Sequence, residues 1–148
     1  MKSPIPKQSE KKHKSSIEYL HKKTLEWISE IEFIKVEQQF LQELLSAHII
    51  SLCESDNFNT AKLLLKGIEH ESVLGDELIV SIKNHNVNLA LLMEHIYLKK
   101  EADFRENHDF LKMEVINYTQ NFNYIKEQVY KLVLFILKKD KQKRRLSN

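Results

Sequence analysis

Apolar side chains recur along three stretches of this chain at alternating spacings of four and three residues, the repeat of a helix that buries one face. In the first stretch the seam runs Leu20, Thr24, Trp27, Ile31, Ile34, Gln38, Leu41, Leu45, His48, Leu52. Phe33, Phe40, Leu44 and Ile49 widen it, which predicts several neighbours per helix rather than a two-stranded seam. The second stretch runs through Ala61, Leu64, Leu65, Ile68, Leu78, Ile82, Leu89, Leu92 and Ile96. The third keeps the spacing without an error over Leu111, Val115, Tyr118, Phe122, Ile125, Val129, Leu132 and Ile136.

The boundaries follow from local chemistry. Ser15 or Ser16 can cap the first helix, with Glu18 at the positive end of its dipole. Ser55, Asp56 and Asn57 prefer turns to helix interiors and mark the first break. Gly67 and Gly75 each cost about 1 kcal/mol relative to alanine inside a helix, so that segment is either a tolerated soft region or a loop. Asn84 to Asn88 is a second weak point. The last helix begins between Lys99 and Asp109, where no residue forces a turn, and runs to about Lys141. The expected fold is an all-α antiparallel bundle of three long helices, with a four-helix bundle as the alternative if the second helix splits. Helices of about 38 residues make a rod on the order of 55 Å long.

At 148 residues the chain suits one domain with a real core. Residues 1–15 hold Pro4, Pro6 and five lysines and are too polar to bury enough surface, so they read as a disordered arm. Residues 16–141 form the helical domain and 142–148 a basic tail. Cys53 has no partner within the chain, and no apolar signal segment follows Met1; the expected compartment is the reducing cytoplasm. The densest apolar run, Val129 to Leu137, contains Lys131 and is far shorter than the roughly 20 residues of a membrane span.

The net charge of +2 hides a partition. Residues 1–24 carry seven lysines and two acids, residues 138–148 carry six basic residues and Asp140, and the body between is acidic, with ten basic and eighteen acidic residues. Polyanion contact is therefore confined to the ends. Lys138, Lys139, Lys141, Lys143, Arg144 and Arg145 follow the apolar stretch directly and suit nucleic-acid phosphates or an anionic membrane surface. The competing explanation is that cations in a last helical turn stabilise the negative end of the dipole. No aromatic is interleaved with them, which argues against base stacking.

No motif points to catalysis, a cofactor or a metal. The seven histidines have no convincing ligand spacing: Glu69-His70-Glu71, Glu94-His95 and Asn107-His108-Asp109 place neighbours about 100° apart on a helix, and His-Glu-x-x-His does not occur. His85, His108 and at the margin His21 approach one end of the bundle, but polar seam or surface positions account for them, as for His48 and Gln38. Cys53 sits near a helix C-terminus, which raises a thiol pKa and leaves it inert. The two glycines are isolated and cradle no phosphate. Trp27, Tyr118, Phe122 and Tyr124 sit at helical spacing and read as core.

Val129 to Leu137 is apolar nearly all round, because Val133, Leu134 and Leu137 add to the seam. A fourth helix or another chain must cover them. The expectation is a non-enzymatic interaction or scaffold protein that self-associates; the alternative is a polyanion-binding accessory protein acting through the Lys/Arg run. The segment Leu25-Glu26-Trp27-Ile28-Ser29-Glu30-Ile31-Glu32-Phe33, with Glu37 and Phe40-Leu41, resembles the first helix of uncharacterised helical proteins encoded by Bacteroidota over about 20 residues. That resemblance implies a bundle and no catalytic residue.

Overall fold

A computed structural model describes residues 15–54, 56–97 and 99–147, and among them it contains helices and no strand. The helices are α1 (Ile17–Ala47), α2 (Ile49–Cys53), α3 (Phe58–Met93) and α4 (Glu101–Ser147). The expected arm lies outside the described residues, apart from Ser15.

α1 starts where its cap dictates: the Ser16 side chain accepts a hydrogen bond from the Tyr19 amide at 3.1 Å, and Glu18 occupies the first turn. A kink at His48 separates α1 from α2, so the first expected helix is a long piece followed by a short one. The turn at Asp56 and Asn57 falls where expected.

α3 passes without interruption through both expected weak points, which removes the four-helix alternative. Of the two glycines, only Gly75 sits where a neighbour occupies the space a side chain would take. A Cβ at Gly75 would collide with the Tyr118 hydroxyl, whereas one at Gly67 would meet Ile125 Cδ1 at an ordinary 3.5 Å. The asparagine segment stays helical because two of its polar side chains are used across the bundle: Asn86 donates to the Thr24 hydroxyl at 2.6 Å, and His85 pairs with His108 on α4.

The turn after α3 carries no glycine or proline. His95 takes the left-handed conformation at φ 60°. Its amide donates to the Leu92 carbonyl at 3.0 Å and that of Ile96 to the Leu91 carbonyl at 2.8 Å, the paired bonds of a Schellman end. α4 then runs to Ser147, six residues past the expected Lys141. The segment expected as a tail is rich in helix formers, and Arg144 and Arg145 sit in the last turn, where cations offset the dipole.

α1 and α4 run parallel, in register along their whole length. Arg105 Nη1 donates to the Ser15 carbonyl at 2.7 Å, Lys126 pairs with Glu37 at 3.1 Å, and the Ser51 hydroxyl donates to Asp140 at 2.9 Å, with sequence separations of 90, 89 and 89. α3 runs antiparallel to both: Gly67 lies against Ile125, Gly75 against Tyr118, and His85 against His108. The termini of the bundle therefore point to opposite ends.

The seams meet in one core from Trp27 to Ile136, with a smaller cluster of Leu20, Leu89, Leu92 and Phe104 at the N-terminal end of α1. Every expected seam residue of α1 from Leu20 to Leu45 is buried. Four expectations change. Val133 is buried (5% exposed) and belongs to the core of its own chain, not to a partner surface. Phe33, Phe40 and Ile49, expected to widen the buried stripe of the first helix, are exposed. Tyr124, expected as core, is exposed as well. Ile96, placed on the second seam, falls beyond α3 in the turn and is exposed.

The two glycines give substitutions of opposite sign. Gly67→Ala should stabilise the protein by about 0.5–1 kcal/mol, because alanine favours the helix and its methyl finds room. Gly75→Ala should destabilise it by about 1–3 kcal/mol, since the Tyr118 ring has to move within a packed core. Paired urea unfolding curves distinguish the two; equal shifts of the same sign would refute the packing described at Gly75.

Candidate functional site

Three places on the bundle combine polar chemistry with space: a histidine pair near the N-terminal end of α4, a cleft between α3 and α4, and the edge where α1 and α4 run side by side.

At the first, the expected approach of His85 and His108 is present. His85 Nε2 and His108 Nδ1 are 3.0 Å apart, and both rings are buried. The Asn107 amide donates to His85 Nδ1 at 3.3 Å. That donor assigns the tautomers: His85 Nδ1 accepts, its Nε2–H donates to His108 Nδ1, and the His108 proton sits on Nε2. The His108 ring rests against Trp27, with centroids 4.6 Å apart. Burial, reinforced by His85 and by Lys112 and Arg105, lowers the His108 pKa to about 4; burial also lowers that of His85. Both rings are neutral at pH 7. His21 stands apart from the pair, half-buried, its carbonyl accepting from the Thr24 hydroxyl at 2.6 Å. Among the described residues no three His, Cys, Asp or Glu side chains converge as metal ligands.

Beside the pair, a cleft of 380 Å³ opens between the N-terminal halves of α1 and α4, rimmed by Lys23, Arg105 and Lys112 with Asp109 opposite. Two of these cations are already engaged, Lys23 with Glu26 at 3.1 Å and Arg105 with Glu101 at 3.0 Å.

The second place contrasts with it. Between α3 and α4 a cleft of 280 Å³ is lined by Glu71, Glu77 and Glu114, by leucines and by Phe110, and no cation lines it. Glu71 is buried and its Oε2 has no hydrogen-bond partner among the described residues; burial raises its pKa. Above the cleft Tyr118 accepts from Gln38 Nε2 at 3.0 Å, and burial pushes the phenol up to about 12. Sequence reasoning passed over Glu71. The missed signal is its position: 68, 71, 75, 78, 82, 85, 89 continues the seam of α3, with Glu71, Gly75 and His85 filling places where apolar residues were sought.

At the third place, the Glu37–Lys126 pair identifies the facing edges of α1 and α4. Helical spacing puts Glu30, Phe33, Phe40 and Leu44 on the α1 edge with Glu37, and Tyr130, Leu134 and Leu137 on the α4 edge with Lys126. The parallel register sets Phe40 level with Tyr130 and Leu44 level with Leu134. Phe40 is 51% exposed, Leu134 55% and Leu137 46%, so two residues expected on a partner surface lie on an open apolar strip. All six expected cations are exposed in the last turns of α4, where Lys143 comes within 3.9 Å of Glu54 and Lys139 lies over the Phe135 ring. Lys138, Lys141 and Arg145 continue the face of Leu134 and Leu137.

The histidine pair makes stability depend on pH. His108 has a lower pKa folded than the 6.5 of an unfolded chain, so the unfolded state binds more protons between the two values. Stability is complete above about pH 6.5 and falls as pH drops toward 4, by on the order of 2 kcal/mol between pH 7.5 and pH 5 from His108 alone. His108→Gln should flatten that slope in denaturant titrations; an unchanged slope would place the titration elsewhere.

No family model, no curated protein and no solved structure matches the chain, so the geometry of these three places carries the functional reading.

Proposed function

We propose that this is a non-enzymatic interaction or scaffold protein of the cytoplasm that self-associates along the α1–α4 edge. The observation that carries the reading is the open strip of Phe33, Phe40, Tyr130, Leu134 and Leu137, with Leu44 half-buried beneath it. A three-helix bundle completes its core without these side chains. Contiguous exposed apolar surface of this kind costs solubility unless something covers it.

Charge favours a second copy turned end for end. The strip is continued by Lys138, Lys141 and Arg145 at one end and by Glu30 at the other. A twofold axis near Phe40 and Tyr130 would lay the cations of each copy against the acid of the other and bury both strips. No helix among the described residues is long and apolar enough to cross a membrane, which is compatible with a protein acting in aqueous solution.

A second reading rests on the same cations. Six exposed positive side chains over eight residues at the end of α4 suit phosphates of nucleic acid or of an anionic membrane surface.

Light scattering at low and high salt separates the two. The expected result is a dimer mass that persists at high salt, because apolar burial is not screened. Leu134→Glu should weaken the dimer at least ~10-fold while leaving the monomer folded with its helicity unchanged, since Leu134 is exposed within its own chain. A monomer at both salts that carries nucleic acid removable by salt would overturn self-association in favour of the second reading.

A further inference from the structure

On the flank of α4 away from the strip, the cleft between α3 and α4 has a composition that the bundle does not need for its own packing. Glu71 is only 7% exposed, yet its Oε2 has no hydrogen-bond partner among the described residues. An unpaired buried carboxylate is among the more costly features a small domain can carry. Glu77 and Glu114 line the same cleft, none of the three carboxylates forms an ion pair among the described residues, and no lysine or arginine lines it. Their combined field favours a positive charge in the cleft.

The shape narrows the ligand. Among the described residues the carboxylates do not converge on a point that would hold a metal ion. The walls between them are apolar, from Leu74 and Leu78 on α3 and from Phe110 on α4. Phe110 offers an exposed ring face to a cation. Ser81, Asn117 and Asn121 add polar groups at the rim. The volume of 280 Å³ accommodates a short chain with a compact charged head.

We propose that this cleft binds an organic cation, an ammonium or guanidinium group on an apolar stem, with the head paired to Glu71 and the stem against Leu74, Leu78 and Phe110. The head meets the Glu71 carboxylate through the small part of that side chain that lines the cleft, and the stem covers apolar wall that otherwise faces water. The cation comes either from a free amine or from a lysine or arginine side chain of another protein, and the same contacts recognise both.

The test is an NMR titration of the full-length protein with hexylammonium, using hexanol and hexanoate as controls that keep the stem and change the head. Saturable 1:1 binding that shifts the Ser81, Asn117 and Asn121 signals is expected, with hexanol much weaker and hexanoate absent. Glu71→Gln should fold at least as well as the parent, because it removes a buried charge, and should weaken hexylammonium about 10-fold. Glu114→Gln, at the rim, should weaken it less. Hexanol binding as tightly as hexylammonium, unchanged affinity in Glu71→Gln, or shifts confined to another part of the bundle would each overturn the assignment. A parallel titration with N-acetyl-lysine methylamide distinguishes the sources: tighter binding than hexylammonium supports a protein side chain, and weaker binding supports a free amine.

Discussion

The bundle is held in register at the point where one phenol touches all three long helices. Tyr118 rises from α4, accepts a hydrogen bond from Gln38 of α1, and packs its hydroxyl against the bare backbone of α3 at Gly75. Apolar seams with a regular repeat tolerate sliding by one heptad, because every layer resembles the next. A buried amide and phenol that find each other at only one alignment remove that degeneracy, and the missing side chain at residue 75 makes room for the phenol at that level of α3. Burial raises the Tyr118 pKa to about 12, so the hydroxyl is neutral at pH 7.

The polar pairs nearer the N-terminal end of α1 act in the same sense. Thr24 with Asn86 and His108 with His85 each join two helices at fixed levels. The Asn86 amide donates to Thr24 and the two imidazoles meet at 3.0 Å, so each pair ties its helices together by a polar contact inside the bundle. Two buried oxygens among the described residues have no hydrogen-bond partner: Gln38 Oε1, and Glu71 Oε2 at a seam position on α3.

Much of the fold was legible because the spacing of α1 and α4 is so regular. Leu20 to Leu45 and Leu111 to Ile136 needed no tertiary knowledge to be placed on inward faces, although Ile125 proves half-buried. The turn at His95 was not legible, since nothing in its chemistry demands a left-handed residue; the paired hydrogen bonds that end α3 accompany that conformation. The fate of Phe33, Phe40 and Val133 turned on how many neighbours each helix has. A hydropathy pattern gives the direction of a side chain but not whether another helix stands there. The same limit hid the α3–α4 cleft: Glu71 and Glu77 lie on α3 and Glu114 on α4, and only the antiparallel pairing of the two helices brings them to one cleft.

The parallel pairing of α1 with α4 also fixes how the protein would carry force. A pull between the start of α1 and the end of α4 runs along the helix axes. Their seam would then be loaded in shear over its whole length, with every layer resisting at once, instead of being peeled open one turn at a time. Antiparallel neighbours whose ends lie together have no such protection, so this topology suits a chain tethered at both ends.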